Sequence, residues 1–179
     1  MSAVRAVAVV VLAIAVALVV VVSTRPDRFH VECSATIAAP SDAIFGYVND
    51  LRRWTAWSPW EKIDPQMQRS YDGPASGVGA SYHWTGNAKI GEGSATITES
   101  TPNRRVGIAL EFLKPFRASN TASFTLVPDG AGTRITWAMD GRANFVTKLV
   151  GLFMSMDAMV GTQFESGLET LKRITETAP

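Results

Sequence analysis

The run TASFTLVPDGAGTRITWAMDG, from Thr121 to Gly141, decides how the chain is read. Its first part sets Ala122, Phe124 and Leu126 on one side of an extended segment. Its last part does the same with Ile135, Trp137 and Met139. A period of two is the mark of a half-buried strand, and the DGAG between the halves supplies a hairpin turn. Two neighbouring antiparallel strands with a shared apolar face follow from that pattern alone.

The same alternation recurs along most of the chain. In RFHVECSATIAAP, Phe29, Val31, Cys33, Ala35 and Ile37 fall on one face, with His30, Glu32, Ser34 and Thr36 on the other. MQRSYDG ends in a turn. GASYHWTG puts Ala80, Tyr82 and Trp84 opposite Ser81, His83 and Thr85. GSATITES places Ala95 and Ile97 opposite Ser94, Thr96 and Thr98, and RRVGIALEF places Val106, Ile108, Leu110 and Phe112 together. Short strands with short Gly-, Pro- and Asp-containing links predict an antiparallel meander.

Helices interrupt this at three places. After the first strand, Pro40 and Ser41-Asp42 predict a helix start, with Ser41 or Asp42 able to cap it and Ile44, Phe45 and Val48 as its apolar stripe. LRRWTAW predicts a short second helix, broken by Ser58-Pro59. From about Asn144 to Thr177, Val160, Phe164, Leu168, Leu171 and Ile174 recur at spacings of four and three, the period of a long closing helix. Gly151 and Gly161 lie inside that pattern and predict a bend or a close approach. A single apolar sheet face must be covered, and the closing helix is the only element long enough to cover it. A curved sheet gripping a helix leaves space between the two.

The beginning of the chain is of another kind. AVAVVVLAIAVALVVVV, Ala6 to Val22, is a run of seventeen apolar residues without a charge. As a helix it spans about 26 Å, near the lower limit for a bilayer core. Valine on every face argues against a buried core helix. A secretory signal is the competing reading, but the run ends VVVVSTRP, without a small-x-small site there. The expectation is a single-pass anchor and linker over residues 1–28 and a ligand-binding domain over 29–179, at the bacterial inner membrane. Arg5 and the α-amino group nearly balance Arg25 and Arg28, so the side on which the domain lies stays open.

Charge and cysteine content narrow the functional classes. A formal charge of +1, with no cluster of lysines or arginines, gives no field for nucleic acid. One cysteine, Cys33, makes no internal disulfide. With two histidines, both on polar strand faces, and no H-E-x-x-H or paired C-x-x-C, neither a metal nor another cofactor is expected. Ser-His-Asp order, G-x-S-x-G and a P-loop are absent as well.

The order of strand, two short helices, about six strands and a long helix resembles the α+β helix-grip fold of the START-related superfamily. That group includes polyketide cyclases and dehydrases, lipid-transfer domains and coenzyme Q-binding proteins. WSPWEKIDPQMQRSYDGPASGVGASYHWTGN is similar to a bacterial polyketide cyclase/dehydrase-like subgroup, as are GTRITWAMDG, LFMSMDAMVG and FESGLETLK. The resemblance runs from about Phe29 to Ile174 and implies a curved sheet of about seven strands around the closing helix. It implies a hydrophobic ligand more directly than it implies any one reaction.

The candidate site is built mainly from aromatics. WTAWSPWEKIDP, Trp54 to Pro65, holds three of the five tryptophans. Trp57 and Trp60 flank Ser58-Pro59 and are expected to wall a pocket, with Trp54 packed on the sheet. Tyr82, Trp84, Phe124, Trp137 and Met139 lie on the inward face of consecutive strands. Phe153, Met156, Met159 and Val160 come from the closing helical segment. Tyr71 and Tyr82 offer a polar handle, and methionine suits varied ligand shapes. The catalytic candidates are Asp157, among methionines, and Glu99, on the apolar face of its strand, since a carboxylate among apolar neighbours has a raised pKa. Three readings stay open: a membrane-tethered domain that binds a hydrophobic small molecule or lipid, a cyclase or dehydrase using a pocket carboxylate, and an interaction module whose core is filled.

Overall fold

A computed structural model describes residues 3–143, 145–152 and 160–177. Helix α1 (Ala3–Ser23) leads into β1 (Arg28–Ile37), α2 (Ser41–Val48), a 3₁₀ turn (Leu51–Ala56) and the one-turn α3 (Trp60–Ile63). Six strands follow: β2 (Gln68–Asp72), β3 (Ser81–Thr85), β4 (Glu92–Thr101), β5 (Arg105–Lys114), β6 (Ala118–Asp129) and β7 (Gly132–Arg142). Helices α4 (Phe145–Val150) and α5 (Thr162–Glu176) close the chain.

The seven strands form one sheet in the order β1-β7-β6-β5-β4-β3-β2, every neighbouring pair antiparallel. This is the helix-grip architecture. The β6–β7 hairpin sets Ala122 opposite Met139, Phe124 opposite Trp137 and Leu126 opposite Ile135. All six are buried, so the period-two pattern of Thr121 to Gly141 is the register of the sheet centre.

Helix α5 covers the inner face through Phe164, Leu168 and Leu171, none more than 2% exposed. Their spacings of four and three put them on one side of the helix. Gly167 on that side lets the helix come close, because a Cβ there would sit 2.8 Å from Trp137 Cζ3 and 3.0 Å from Pro59 Cδ.

Three local details differ from the sequence reading. Pro40 takes the cap position of α2 without a side-chain cap bond, while the Ser41 hydroxyl pairs with the Thr133 hydroxyl at 3.1 Å. A strand neighbour has drawn the capping group away. The Ser58-Pro59 break is followed at once by another helical turn, since Pro59 with φ −65° caps α3. The closing helical pattern is divided: α4 ends at Val150, and Gly151 donates its backbone N–H to Thr147.

One end of the sheet gathers the start of β1, the end of β7, the β5–β6 connection and the β3–β4 connection. It is also the end from which α1 leaves. Helix α1 lies against α4, and Val22 in its last turn is wholly buried. Most of the remaining α1 surface is exposed, at a mean hydropathy of 3.2 over its most apolar stretch. That helix has the length and apolarity of a membrane span or a signal sequence.

Candidate functional site

The segment from Trp54 to Trp60 builds an aromatic plug across the middle of the grip. Trp57 meets Trp54, Phe124 and Trp137 edge-on, with ring centroids 5.5, 5.8 and 5.4 Å apart. Trp137 stacks flat on Phe164 of α5 at 4.1 Å, and Trp60 meets both of these rings edge-on. The indole N–H groups of Trp54 in the 3₁₀ turn and of Trp57 just after it are satisfied, Trp54 donating to the Val48 carbonyl and Trp57 to the Tyr47 carbonyl. Trp57 and Phe124 have no exposed surface and Trp137 has 2%. Trp57 and Phe124 therefore touch no water-sized space and Trp137 almost none, and their partners are one another with Trp54, Trp60 and Phe164. Trp54 packs on Phe124 of the sheet at 6.0 Å.

Exposure changes along the inner face. Beyond the plug, away from α1, the inward residues Ile37, Ile97, Val106, Ile108, Leu126 and Ile135 are buried. Towards the α1 end, Phe29, Trp84, Leu110, Phe112, Ala118 and Asn120 are only half-buried. A cleft of about 640 Å³ lies at that end, its wall including the inward Phe112 and Ala118, the outward Glu111 and Ser119, and Asp27, Leu113, Arg117 and Arg142. A second hollow of about 380 Å³ adjoins it between the β3–β4 connection and Lys114-Pro115. The packing is solid at one end of the grip and loose at the other.

An aromatic ladder borders the loose end. Tyr71 stacks on Tyr82 at 5.3 Å, Tyr82 leans on Trp84 at 5.7 Å, and Trp84 meets Phe112 edge-on at 5.8 Å. Trp84 reaches Phe112 across Gly93, where a Cβ would lie 2.5 Å from the indole. Met139 is buried at the centre of the sheet, and Val160 is half-buried against the core.

A polar cluster sits beside this ladder. Glu61, its side chain 9% exposed, accepts from Arg69 Nε at 2.8 Å and Nη2 at 2.6 Å, and from the Tyr82 hydroxyl at 2.9 Å. Arg69 also donates to the Met67 carbonyl at 2.7 Å. Glu61 and Arg69 were not singled out by sequence reasoning. The usable signal was the alternation in QRSYD, which puts Arg69 on the same face as Tyr71.

Burial, and secondly the Glu61 charge, push the Tyr82 phenol well above its ordinary pKa. A raised folded-state pKa means the native protein holds a proton that the unfolded chain releases above about pH 10. Stability from this group is complete below that pH and is lost as pH rises. In alkaline unfolding experiments Tyr82→Phe is expected to flatten the decline above about pH 10. An unchanged slope would remove Tyr82 from that account.

The remaining candidates are placed as follows. A register shift between Ile97 and Glu99 turns Glu99 outward, where its side chain is 48% exposed and pairs with Arg105 Nε at 3.0 Å. The bulge inserts one residue and reverses the alternation beyond it. Glu99 is thus a surface ion-pair partner and not an inward carboxylate. His30 and His83 lie on the outer face, 2.8 Å from Asp140 and 3.2 Å from Asp72. Asp157, Phe153, Met156 and Met159 lie outside the described residues.

Residues 28–176 match the family described as polyketide cyclase / dehydrase and lipid transport. No curated protein matches the chain. Among solved structures, protein CV1439 from Chromobacterium violaceum superposes with a TM-score of 0.61 at 13% identity, covering 86% of this chain and 100% of that one. Ginseng major latex-like protein 151 from Panax ginseng gives 0.58 at 13% identity, covering 84% and 99%. The Aha1 dimer from Colwellia psychrerythraea gives 0.57 at 16% identity, covering 83% and 97%. At these identities the likeness is one of fold.

Proposed function

We propose that this chain, which belongs to the polyketide cyclase/dehydrase and lipid-transport family, holds a hydrophobic small molecule or lipid at the α1 end of its grip, tethered to a membrane by α1. The observation that carries the reading is the gradient along the inner face. Phe124, Trp137 and Trp57 make a closed floor. Phe112 and Ala118 line the cleft of about 640 Å³, and Tyr71, Tyr82, Trp84, Met139 and Val160, with Trp60, none of them on its wall, are assigned to the inner face behind it. A recess with apolar rings within and the charged Asp27, Glu111, Arg117 and Arg142 at its mouth suits an oily guest that carries a polar end.

The tether has its own support. Val22 is buried at the end of α1, and α1 lies against α4. A segment removed after export has no need of such packing. A recess beside a membrane span draws on a bilayer in which oily molecules are concentrated. Sequestration or hand-over of such a molecule is the activity this arrangement suits best.

Native mass spectrometry of the full chain, released from lipid nanodiscs, tests the binding. The expected spectrum carries an adduct that an organic solvent removes. Bare chain mass in repeated gentle preparations would overturn the reading. For the tether, alkaline carbonate is expected to leave the full chain in the membrane pellet, and its release would defeat that part.

A further inference from the structure

We propose that the side-chain amide of Asn120 is the hydrogen-bonding handle for a hydroxyl group on the guest. This deepens, and rests on, the reading that an apolar molecule lodges at the α1 end of the grip. Among the described residues, Asn120 Oδ1 is a buried acceptor without a hydrogen-bond partner. Among the same residues its Nδ2 reaches only the Met139 thioether, at 4.0 Å, and a thioether sulfur is a weak acceptor. Buried polar side-chain atoms nearly always have a partner, so this one calls for a specific account. Exchanging the two ends of the amide leaves a buried N–H₂ unpaired instead, and the deficit persists in either orientation.

The placement fits a ligand contact. Asn120 lies on the inner face of β6, opposite Leu110 of β5 and Gly141 of β7. A Cβ at Gly141 would sit 2.3 Å from Asn120 Oδ1 and 2.4 Å from Phe29 Cζ, so the glycine keeps the space that amide and ring occupy. Ala118, two residues earlier on the same face, lines the cleft, and Asn120 lies about 7 Å further along the strand behind that wall, so a guest reaches its amide only by entering past Ala118 and parting the Phe29 ring from it. Phe29, Leu110 and Met139 surround it with apolar surface.

One amide in such surroundings selects for an oily body with one polar substituent. A hydroxyl can donate to Oδ1 or accept from Nδ2 and so serves both orientations of the amide. A carbonyl serves only the donor end. An ammonium group would bury its charge among Phe29, Leu110 and Met139.

Two probes decide the matter, 2-naphthol and 2-methoxynaphthalene, which share a ring system; the methyl group of the second replaces the proton that a hydroxyl donates to Oδ1 and leaves an oxygen that can only accept. Their binding to the full chain in nanodiscs is measured by saturation-transfer NMR, with empty nanodiscs as the blank. The native protein is expected to prefer 2-naphthol by about tenfold, the worth of one hydrogen bond. In Asn120→Leu that preference is expected to fall to near unity while 2-methoxynaphthalene still binds. Equal affinities in the native protein would overturn the handle and leave hydrophobic binding standing. Failure of both probes to bind would overturn both. The native comparison needs no variant to fold.

Discussion

Trp137→Ala is expected to lower the unfolding free energy by about 4 kcal/mol, the upper range for removing a buried aromatic ring. Trp137 is stacked on Phe164, leans on Phe124 at 4.9 Å and receives the edges of Trp57 and Trp60. Each such pair contributes about 1 kcal/mol beyond the area it buries. The neighbours come from the 3₁₀ segment, α3, β6 and α5, so no single element can move in to fill the void. For a domain of this size the loss corresponds to a fall in Tm on the order of 10 °C. Trp60→Phe, at a half-buried position on the rim of the plug, is expected to cost much less. Near-UV circular dichroism during thermal unfolding reads both. Similar losses for the two would mean that Trp137 is not the centre of the plug.

The second large effect belongs to the Glu61–Arg69 pair. Glu61→Leu is expected to cost about 2 kcal/mol, because it leaves the half-buried Arg69 without its counter-charge, a smaller loss than at a fully buried pair. The hydroxyl of Tyr82, a residue 5% exposed, loses its carboxylate acceptor at the same stroke and keeps only the weak Met67 thioether at 3.9 Å. The double variant Glu61→Leu/Arg69→Met is expected to recover most of the loss, since replacing both ions of a buried pair by apolar groups is often neutral. Denaturant unfolding of the two variants supplies the comparison. A double variant as unstable as the single one would place the cost in lost packing and not in the stranded charge.

These two clusters also explain how much could be read before the fold was known. Alternation alone placed Phe124 and Trp137 inward, and they are opposite one another in the sheet. The two outward histidines follow from the same periodicity. Alternation failed at Glu99, because a bulge adds one residue and leaves almost no mark in composition. The faint mark is Gly107 across from it, where a Cβ would crowd Glu99 Cβ at 3.0 Å.

The tryptophans of WTAWSPW were legible as buried surface. Nothing in their spacing distinguishes rings that face a guest from rings that face each other, a distinction fixed by partners more than sixty residues away. Glu61 was missed for a similar reason. A glutamate in a one-turn helix reads as solvated until Arg69 and Tyr82 of the neighbouring strands are brought to it. The cleft went unseen because it is formed by strand ends and connections, where side-chain periodicity stops.

The claim on which the rest depends is that the grip is occupied at its α1 end and closed at its centre. The most direct measurement is photo-crosslinking of the full chain in nanodiscs with a long-chain alcohol bearing a diazirine, followed by peptide mapping. The account predicts labels on inward residues of the open half, among them Leu110, Phe112, Ala118 and Trp84. Labels confined to α1 and the outer sheet face, with none on those residues, would contradict it.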